Sequence, residues 1–231
     1  MPTVIEKLED GIYDHAIQVN RFEENLKRRS IGFLREMADD INGLLSDAKQ
    51  MTVSDGSRLN EMLRQVKTVI AESHSSAKLD MRSQLLDFAP LEEKATLDIM
   101  NHSLQTEIFS PNMTPAQLRA VVDDGLIRGA VASEWWDRLE QNTQNRIVKG
   151  IQLGFSEGES IEDMKDRLLG KRTGNFENYI VADKLRRRYE RKGGWISMSD
   201  RDAESLIRTA VHKVSSKVRD ETYQANKDVI D

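Results

Sequence analysis

The feature that most constrains this chain is the spacing of its apolar residues, which recur every three or four positions over long stretches. Between residue 4 and about residue 48 the repeated apolar positions are Ile5, Leu8, Ile12, Ala16, Val19, Phe22 and Leu26. This spacing places them on one face of a helix, whereas a strand would require alternation with period two. The pattern predicts a long amphipathic helix, with a break or kink at Gly32 or Gly43.

The same periodicity predicts two further helices before residue 110, at about 57–72 and about 78–108. Pro90 is expected to divide or kink the later one, because proline lacks a backbone N–H and its ring clashes with the preceding turn. Proline is scarce, with four residues, and aromatic residues make up 6% of the chain. Residues that favour helices are plentiful. The predicted fold class is therefore mainly α, built of extended amphipathic helices.

Helix-start signals organise the second half of the chain. Thr114 before Pro115 predicts a helix to about residue 124, because the hydroxyl accepts an orphan backbone N–H and proline at the first position loses nothing. Ser133 is the predicted cap of the next helix. The residues expected on its buried face are Trp136, Leu139, Thr143, Ile147, Ile151 and Phe155.

Two more caps are predicted downstream. Ser160 should open a short helix that stops at Gly170. Ser199 should cap the last helix, with Ala203, Ile207, Ala210, Val214 and Val218 buried. Between these helices the periodicity weakens, and Trp195-Ile196 suggests a short extended stretch, so a small irregular or short β segment is predicted near 171–198. We expect an N-terminal helical region at 1–110 and a C-terminal helical domain at 111–231.

Composition excludes several classes of protein. The formal net charge is −5, so bulk electrostatics does not draw the chain to nucleic acid or to an anionic membrane, and any DNA contact must be local. The absence of cysteine excludes disulfides and thiolate chemistry, and it fits a reducing cytoplasm. Residues 1–10 do not resemble a signal peptide, and no stretch approaches the ~18 apolar residues of a membrane span. No membrane partner is expected.

The sequence offers no support for catalysis. The histidines at 15, 74, 102 and 212 are far apart and show no metal-binding spacing. No phosphate-binding loop, nucleophile elbow or dinucleotide fingerprint is present. The acidic pairs Asp39-Asp40 and Asp123-Asp124 occupy adjacent helix positions, so their side chains diverge by about 100°. We expect no enzyme activity, no catalytic residue, no cofactor and no metal.

A basic cluster is the candidate DNA-binding site. Its residues are Lys184, Arg186, Arg187, Arg188, Arg191 and Lys192. Cations on neighbouring turns would contact phosphates and release counterions, and the nearby Tyr179 and Tyr189 would stack on bases. The alternative is a solvated helix face on which the cations pair with Asp183 and Glu190. The sequence does not decide between these two interpretations.

Three residues are candidates for a protein interface. Trp135 points about 100° away from the core position Trp136 and is the better anchor for a partner. Arg208 and Thr209 are candidate contacts to another protein or to DNA. The alternative for these two is that Arg208 extends its charge into water while Thr209 packs at a helix surface.

Residues 201–212 read Arg-Asp-Ala-Glu-Ser-Leu-Ile-Arg-Thr-Ala-Val-His and are followed by Ala225-Asn226. This segment resembles the signature of bacteriophage head morphogenesis proteins, the minor head proteins of the phage Mu F-like kind. Members of this family also carry, upstream of the signature, a Trp-Xaa-Xaa-Leu segment, an Ile-Xaa-Xaa-Gly-Phe-like segment and a Gly-Xaa-Ser turn. Similar sequences occur here in the same order, at 136–139, 151–155 and 158–160. The resemblance covers about residues 114–231, and nothing comparable is found in the N-terminal half.

The resemblance implies a minor structural protein of the phage head, associated with the portal vertex and acting in capsid assembly or in the handling of packaged DNA. It implies the portal protein as a partner, with the major capsid protein and packaged double-stranded DNA as further ones. The expected location is the virion head, and the host cytoplasm during assembly. Related chains continue beyond the Ala-Asn step, so this is either a short relative or a chain truncated at Asp231. The alternatives are a DNA-binding protein that uses 171–192 and an assembly chaperone that is absent from the mature particle.

Overall fold

The structure is a computed structural model that describes residues 3–48 and 56–230, with nothing described for the side chains of 229 and 230. The helices are α1 (Val4–Asp47), α2 (Gly56–Leu104), α3 (Pro115–Asp123), α4 (Ala132–Glu157), α5 (Ile161–Leu169), α6 (Ile196–Ala225) and α7 (Lys227–Ile230). The strands are β1 (Leu126–Ile127), β2 (Ala130–Val131), β3 (Lys171–Val181) and β4 (Lys184–Lys192). The predicted fold class, mainly α with a short β segment near 171–198, is confirmed.

The long first helix is confirmed, but the break or kink predicted at its glycines is wrong because α1 continues through both of them. A Cβ at Gly32 would lie 1.8 Å from the carbonyl oxygen of Ile180 in β3. Glycine therefore allows the strand backbone to contact the helix directly. A Cβ at Gly43 would meet no atom within 4 Å. Gly32 marks a close approach of two backbones and does not end the helix.

The two helices predicted at 57–72 and 78–108 are one continuous helix, α2. The residues between them are helical because they bury side chains, including those of His74 and Ala77. Pro90 also lies inside the helix, so the prediction that it divides the helix is wrong. Its own side chain is exposed while Phe88 and Ala89 before it are buried. Tertiary burial on both sides of the proline offsets its local cost of about 3 kcal/mol.

Two of the predicted helix caps are confirmed and two are wrong. Thr114 accepts a hydrogen bond from the N–H of Gln117 in a capping box, and Ser160 accepts one from the N–H of Asp163. Ser133 and Ser199 lie inside helices, because α4 begins at Ala132 and α6 begins at Ile196. The extended stretch predicted at 195–196 is therefore also wrong.

The buried faces predicted for α4 and α6 are confirmed. The buried residues of α4 include Trp136, Leu139, Thr143, Ile147, Ile151 and Phe155. Those of α6 include Ala203, Ile207, Ala210, Val214 and Val218. Ser199 belongs to this buried layer as well, since it is 1% exposed and its Oγ lies 2.7 Å from the Oγ of Thr143. A buried hydroxyl pair explains why Ser199 is a packing residue and not a cap.

β3 and β4 form an antiparallel hairpin in the region where the sequence pattern is weakest. Ala182 and Asp183 join the strands, with φ angles of 46° and 62°. Positive φ at both central residues is typical of a two-residue turn whose twist matches that of the flanking strands. The register pairs Phe176 with Tyr189 and Ile180 with Leu185. This register decides which side chains share a face of the hairpin.

Residue contacts divide the chain into two compact units, each made of non-contiguous stretches. The first unit contains Met1–Leu26, Met81–Ser133 and Leu206–Asp231, and the second contains Lys27–Asp80 and Glu134–Ser205. Within the first unit, α1 and α2 are antiparallel, because Phe22 stacks on Phe88 while His15 contacts Glu92. The hairpin belongs to the second unit. The predicted division into 1–110 and 111–231 stays a prediction.

Candidate interaction surface

The strongest local concentration of charge in the chain lies on the hairpin. Residues 171–192 contain eight Lys and Arg against three Asp and Glu, a net charge of +5 in a chain of net charge −5. All six candidate DNA-binding residues lie in strand β4. Both sequence-based interpretations placed them on a helix, and that placement is wrong. Because successive side chains of a strand point to opposite faces, the strand separates these cations into two sets.

One face of the hairpin contacts α1 through charged and polar groups. Arg188 is 9% exposed, and its Nε donates to Glu177 Oε1 at 2.6 Å. Its Nη1 donates to the carbonyl oxygen of Arg35 at 3.1 Å and lies 3.4 Å from Asp39 Oδ1. The hydroxyl of Tyr179 donates to Asp39 Oδ2 at 2.9 Å, and burial of this phenol raises its pKa. These contacts hold the hairpin against the helix.

Two further candidate cations have partners within the same unit. Arg191 donates to the carbonyl oxygen of Gly170 at 2.6 Å and to Asn42 Oδ1 at 3.0 Å, and its side chain is 7% exposed. Burial lowers the pKa of Arg191. Arg186 lies 3.5 Å from a carboxylate oxygen of Glu36. Half of the six candidate DNA-binding residues therefore contact the protein itself, and a DNA role for them stays a prediction.

The opposite face of the hairpin is exposed and largely apolar. The fractional exposures are 49% for Phe176, 41% for Ile180, 71% for Leu185 and 45% for Tyr189. The rings of Phe176 and Tyr189 lie 4.3 Å apart. We call this surface the outer hairpin face; it comprises Arg172, Phe176, Asn178, Ile180, Leu185, Arg187 and Tyr189.

Two arginines stack on the aromatic residues of the outer hairpin face. The guanidinium of Arg187 lies 4.2 Å from the ring centroid of Phe176, and that of Arg172 lies 5.0 Å from that of Tyr189. Such cation–π contacts restrict the side chains before a partner arrives. Lys184 and Lys192, at the ends of β4, are exposed, but Lys184 has the strand parity of Arg188 and not that of Leu185. The outer hairpin face therefore combines two exposed apolar pairs with the positive charge of Arg172 and Arg187.

The other candidate interface residues lie elsewhere. Trp136 is 1% exposed, which confirms its predicted place in the core. Trp135 is half-buried in the second unit, with the guanidinium of Arg138 4.7 Å from its ring centroid. In the first unit the Nε of Arg208 lies 3.2 Å from buried Glu23, and Thr209 is half-buried. An interface role for Trp135, Arg208 and Thr209 stays a prediction.

Sequence reasoning missed five residues of the outer hairpin face: Arg172, Phe176, Asn178, Ile180 and Leu185. The signal for Leu185 and Tyr189 was present, since they alternate with Arg186 and Arg188 at period two. The turn carries Ala-Asp without glycine, so the usual hairpin marker is absent. Period-two alternation across a charged run is the feature that identifies this strand.

Within residues 3–48 and 56–230 no group of three or more histidine or carboxylate side chains is arranged to hold a metal ion. In the same ranges, none of the helices combines the length and the apolar character needed to cross a bilayer. The chain matches no protein-family model, and it matches neither a curated protein nor a solved structure.

Proposed function

We propose that this chain is a minor structural component of a bacteriophage head, associated with the portal vertex, and that it acts by making contacts within the head. The observation that carries the proposal is the outer hairpin face. Two pairs of large apolar side chains, Phe176–Tyr189 and Ile180–Leu185, are exposed there, and the Asn178–Arg187 pair lies between them. Exposed apolar surface marks interaction sites on proteins, and aromatic residues and arginine are enriched among the residues that dominate binding energy.

The residues that carry the family resemblance support a role in which the fold itself is the working part. Trp136, Leu139 and Ile151 are buried in α4. The Gly-Xaa-Ser sequence at 158–160 forms the turn that leads into α5, with Gly158 at a φ of 70°. In 201–212 the apolar residues, such as Ile207, pack inward from α6. These similar positions maintain packing and a turn, as expected for a structural protein that presents a surface to partners.

The first test is proteomic. Intact particles purified from the source system should contain this polypeptide in a fixed ratio to the portal protein. Absence from both mature particles and procapsids would contradict the proposal and leave an unrelated helical binding protein. Absence from mature particles together with presence in procapsids would identify an assembly chaperone.

A second test addresses the surface. Phe176→Ser with Leu185→Ser should abolish incorporation into particles, because it removes half of the exposed apolar side chains of the outer hairpin face. Leu79→Ser with Leu153→Ser is the matched control, since these leucines are 62% and 48% exposed on helices of the same unit. Circular dichroism should show unchanged helix content in both variants. Normal incorporation of the hairpin variant would count against this surface as the docking site.

DNA binding is the second candidate function, and the net charge of +5 on residues 171–192 favours it. Arg172→Glu with Arg187→Glu should weaken binding to a short DNA duplex and reduce the slope of log affinity against log salt concentration by about 2. These two positions are chosen because reversing Arg188 would disrupt the hairpin's contact with α1. Lys149→Glu with Arg201→Glu introduces the same charge change at exposed sites of α4 and α6. Fluorescence anisotropy that shows no difference between the two variants would exclude the outer hairpin face as a DNA site.

A further inference from the structure

A second exposed apolar surface lies at the start of α1. The exposures there are 50% for Val4, 67% for Ile5, 37% for Leu8 and 48% for Ile12. These residues lie on the same helix face as His15 and Val19, which are buried. The apolar face of α1 is therefore buried from His15 onward and exposed before it. We call Val4, Ile5, Leu8 and Ile12 the N-terminal stripe.

The N-terminal stripe lies in a segment of net negative charge. Residues 3–14 contain four acidic residues and one lysine, a net charge of −3. Glu9 lies about 40° beyond Ile5 at one edge of the stripe, while Lys7 and Asp14 lie about 60° and 80° beyond Val4 at the other edge. Both carboxylate side chains are on exposed residues. The chain therefore carries one exposed apolar surface in a segment of net negative charge and another, the outer hairpin face, in a segment of net positive charge.

The two surfaces also agree in length. Val4 and Ile12 are eight residues apart in a helix, which corresponds to about 12 Å. Phe176 and Ile180 are four residues apart in a strand, which corresponds to about 13 Å. Laid along the strand, this helix face of just over two turns would reach both apolar pairs of the hairpin, Phe176–Tyr189 and Ile180–Leu185.

We infer that the N-terminal stripe of one copy docks on the outer hairpin face of a second copy. This inference rests on the proposed role of the outer hairpin face as a protein contact surface. A protein helix fits the apolar pairs of this face better than DNA does, because Ile180 and Leu185 offer phosphates nothing to pair with, whereas apolar side chains of a helix remove them from water. The opposite net charges of the two segments favour their association over that of two like surfaces.

The contact is heterologous, since two different surfaces meet. Each bound copy keeps one unoccupied stripe or one unoccupied hairpin face, so association continues until a ring closes or an open chain forms. A head-to-tail contact of this kind is the type from which ring-shaped assemblies are built.

The experiment uses the full chain and analytical ultracentrifugation over a concentration series. The hairpin variant is Arg172→Glu with Arg187→Glu, and the stripe variant is Ile5→Ser with Ile12→Ser. The wild type should associate as concentration rises, whereas each variant alone should stay monomeric. Mixed in equal amounts, the two variants should form a dimer that grows no further, because the intact stripe of one docks on the intact hairpin of the other. Lys149→Glu with Arg201→Glu should behave as wild type.

A charge-swapped chain provides the second arm. Adding Glu9→Lys and Asp14→Lys to the hairpin variant should restore association, since attraction returns with the signs exchanged. A monomeric wild type at the highest soluble concentration, or a mixture of the two variants that stays monomeric, overturns the inference. If the wild type remains monomeric and the hairpin variant loses binding to duplex DNA, the face is a DNA site and the inference is also overturned.

The same variants distinguish this inference from the proposed function. Incorporation of a strictly monomeric wild-type chain into particles overturns self-docking and leaves the proposed function standing. Self-association of a chain that is absent from all particles supports self-docking and removes the proposed function.

Discussion

Protonation of one buried histidine should make the stability of this protein depend on pH. His74 in α2 is 1% exposed and packs edge-on against Trp136, with ring centroids 6.0 Å apart. Neither ring nitrogen has a hydrogen-bond partner among the described residues. Burial first, and then the charge of Arg146, lower the pKa of His74 from 6.5 to about 4. The folded state therefore holds this imidazole in its neutral form.

The direction of the effect follows from the lowered pKa. Below about pH 6.5 the imidazole binds a proton in the unfolded chain but stays neutral in the folded chain, so protonation stabilises the unfolded state. The contribution of His74 is complete above that pH and is lost as the pH falls toward 4. The full loss is about 3 kcal/mol, and about 2 kcal/mol of it has occurred at about pH 5.

Urea unfolding of the wild type and of His74→Leu, at about pH 7.5 and about pH 5, measures this contribution. Leucine fills a similar volume and leaves no unpaired polar atom. Between the two pH values the free energy of unfolding of the wild type should fall by about 2 kcal/mol more than that of the variant. The measurements at the higher pH remove any difference caused by packing alone. Equal losses in both proteins would refute the reasoning and indicate that the ring is hydrated or paired in solution.

Two further predictions concern the attachment of the hairpin to α1. Gly32→Ala should lower the free energy of unfolding by about 3 kcal/mol, because its Cβ would lie 1.8 Å from the carbonyl oxygen of Ile180. Gly43→Ala, at an open position in the same helix, should raise it by up to about 1 kcal/mol, and thermal unfolding that ranks the two alike would contradict this account. Arg188→Met should cost about 2 kcal/mol and accelerate amide hydrogen exchange in the hairpin, since it leaves two carboxylates without their buried cation. Arg187→Met, on the exposed face, is the matched control, and equal exchange rates in the two variants would argue against Arg188 as the anchor.

Local sequence patterns were sufficient to predict the buried face of a helix wherever that helix buries one apolar stripe. The faces of α4 and α6 follow from spacing alone, because a helix with such a stripe must place it against other apolar groups. The caps at Thr114 and Ser160 are equally local, since each involves a hydroxyl and a backbone N–H three residues away.

Long-range packing decided the features that spacing left open. The residues around His74 have no strong helical pattern, yet burial joins the two predicted helices into α2. Ser199 has the sequence of a cap, but its partner is Thr143, 56 residues earlier in the chain. A local signal is overruled in these places because the energy of burial involves residues that are distant in sequence.

The sequence by itself determined that the chain is mainly α, which residues line the buried faces of α4 and α6, and that its positive charge concentrates near 171–192. It did not determine which of those cations are available to a partner. The hairpin is held to α1 by ion pairs and hydrogen bonds, so no apolar alternation identifies its inner face. Strand register and the close approach at Gly32 place Arg188 inward and Arg187 outward, although the two are adjacent and chemically identical. Only the tertiary structure separates them, because orientation across a strand depends on what lies against each face.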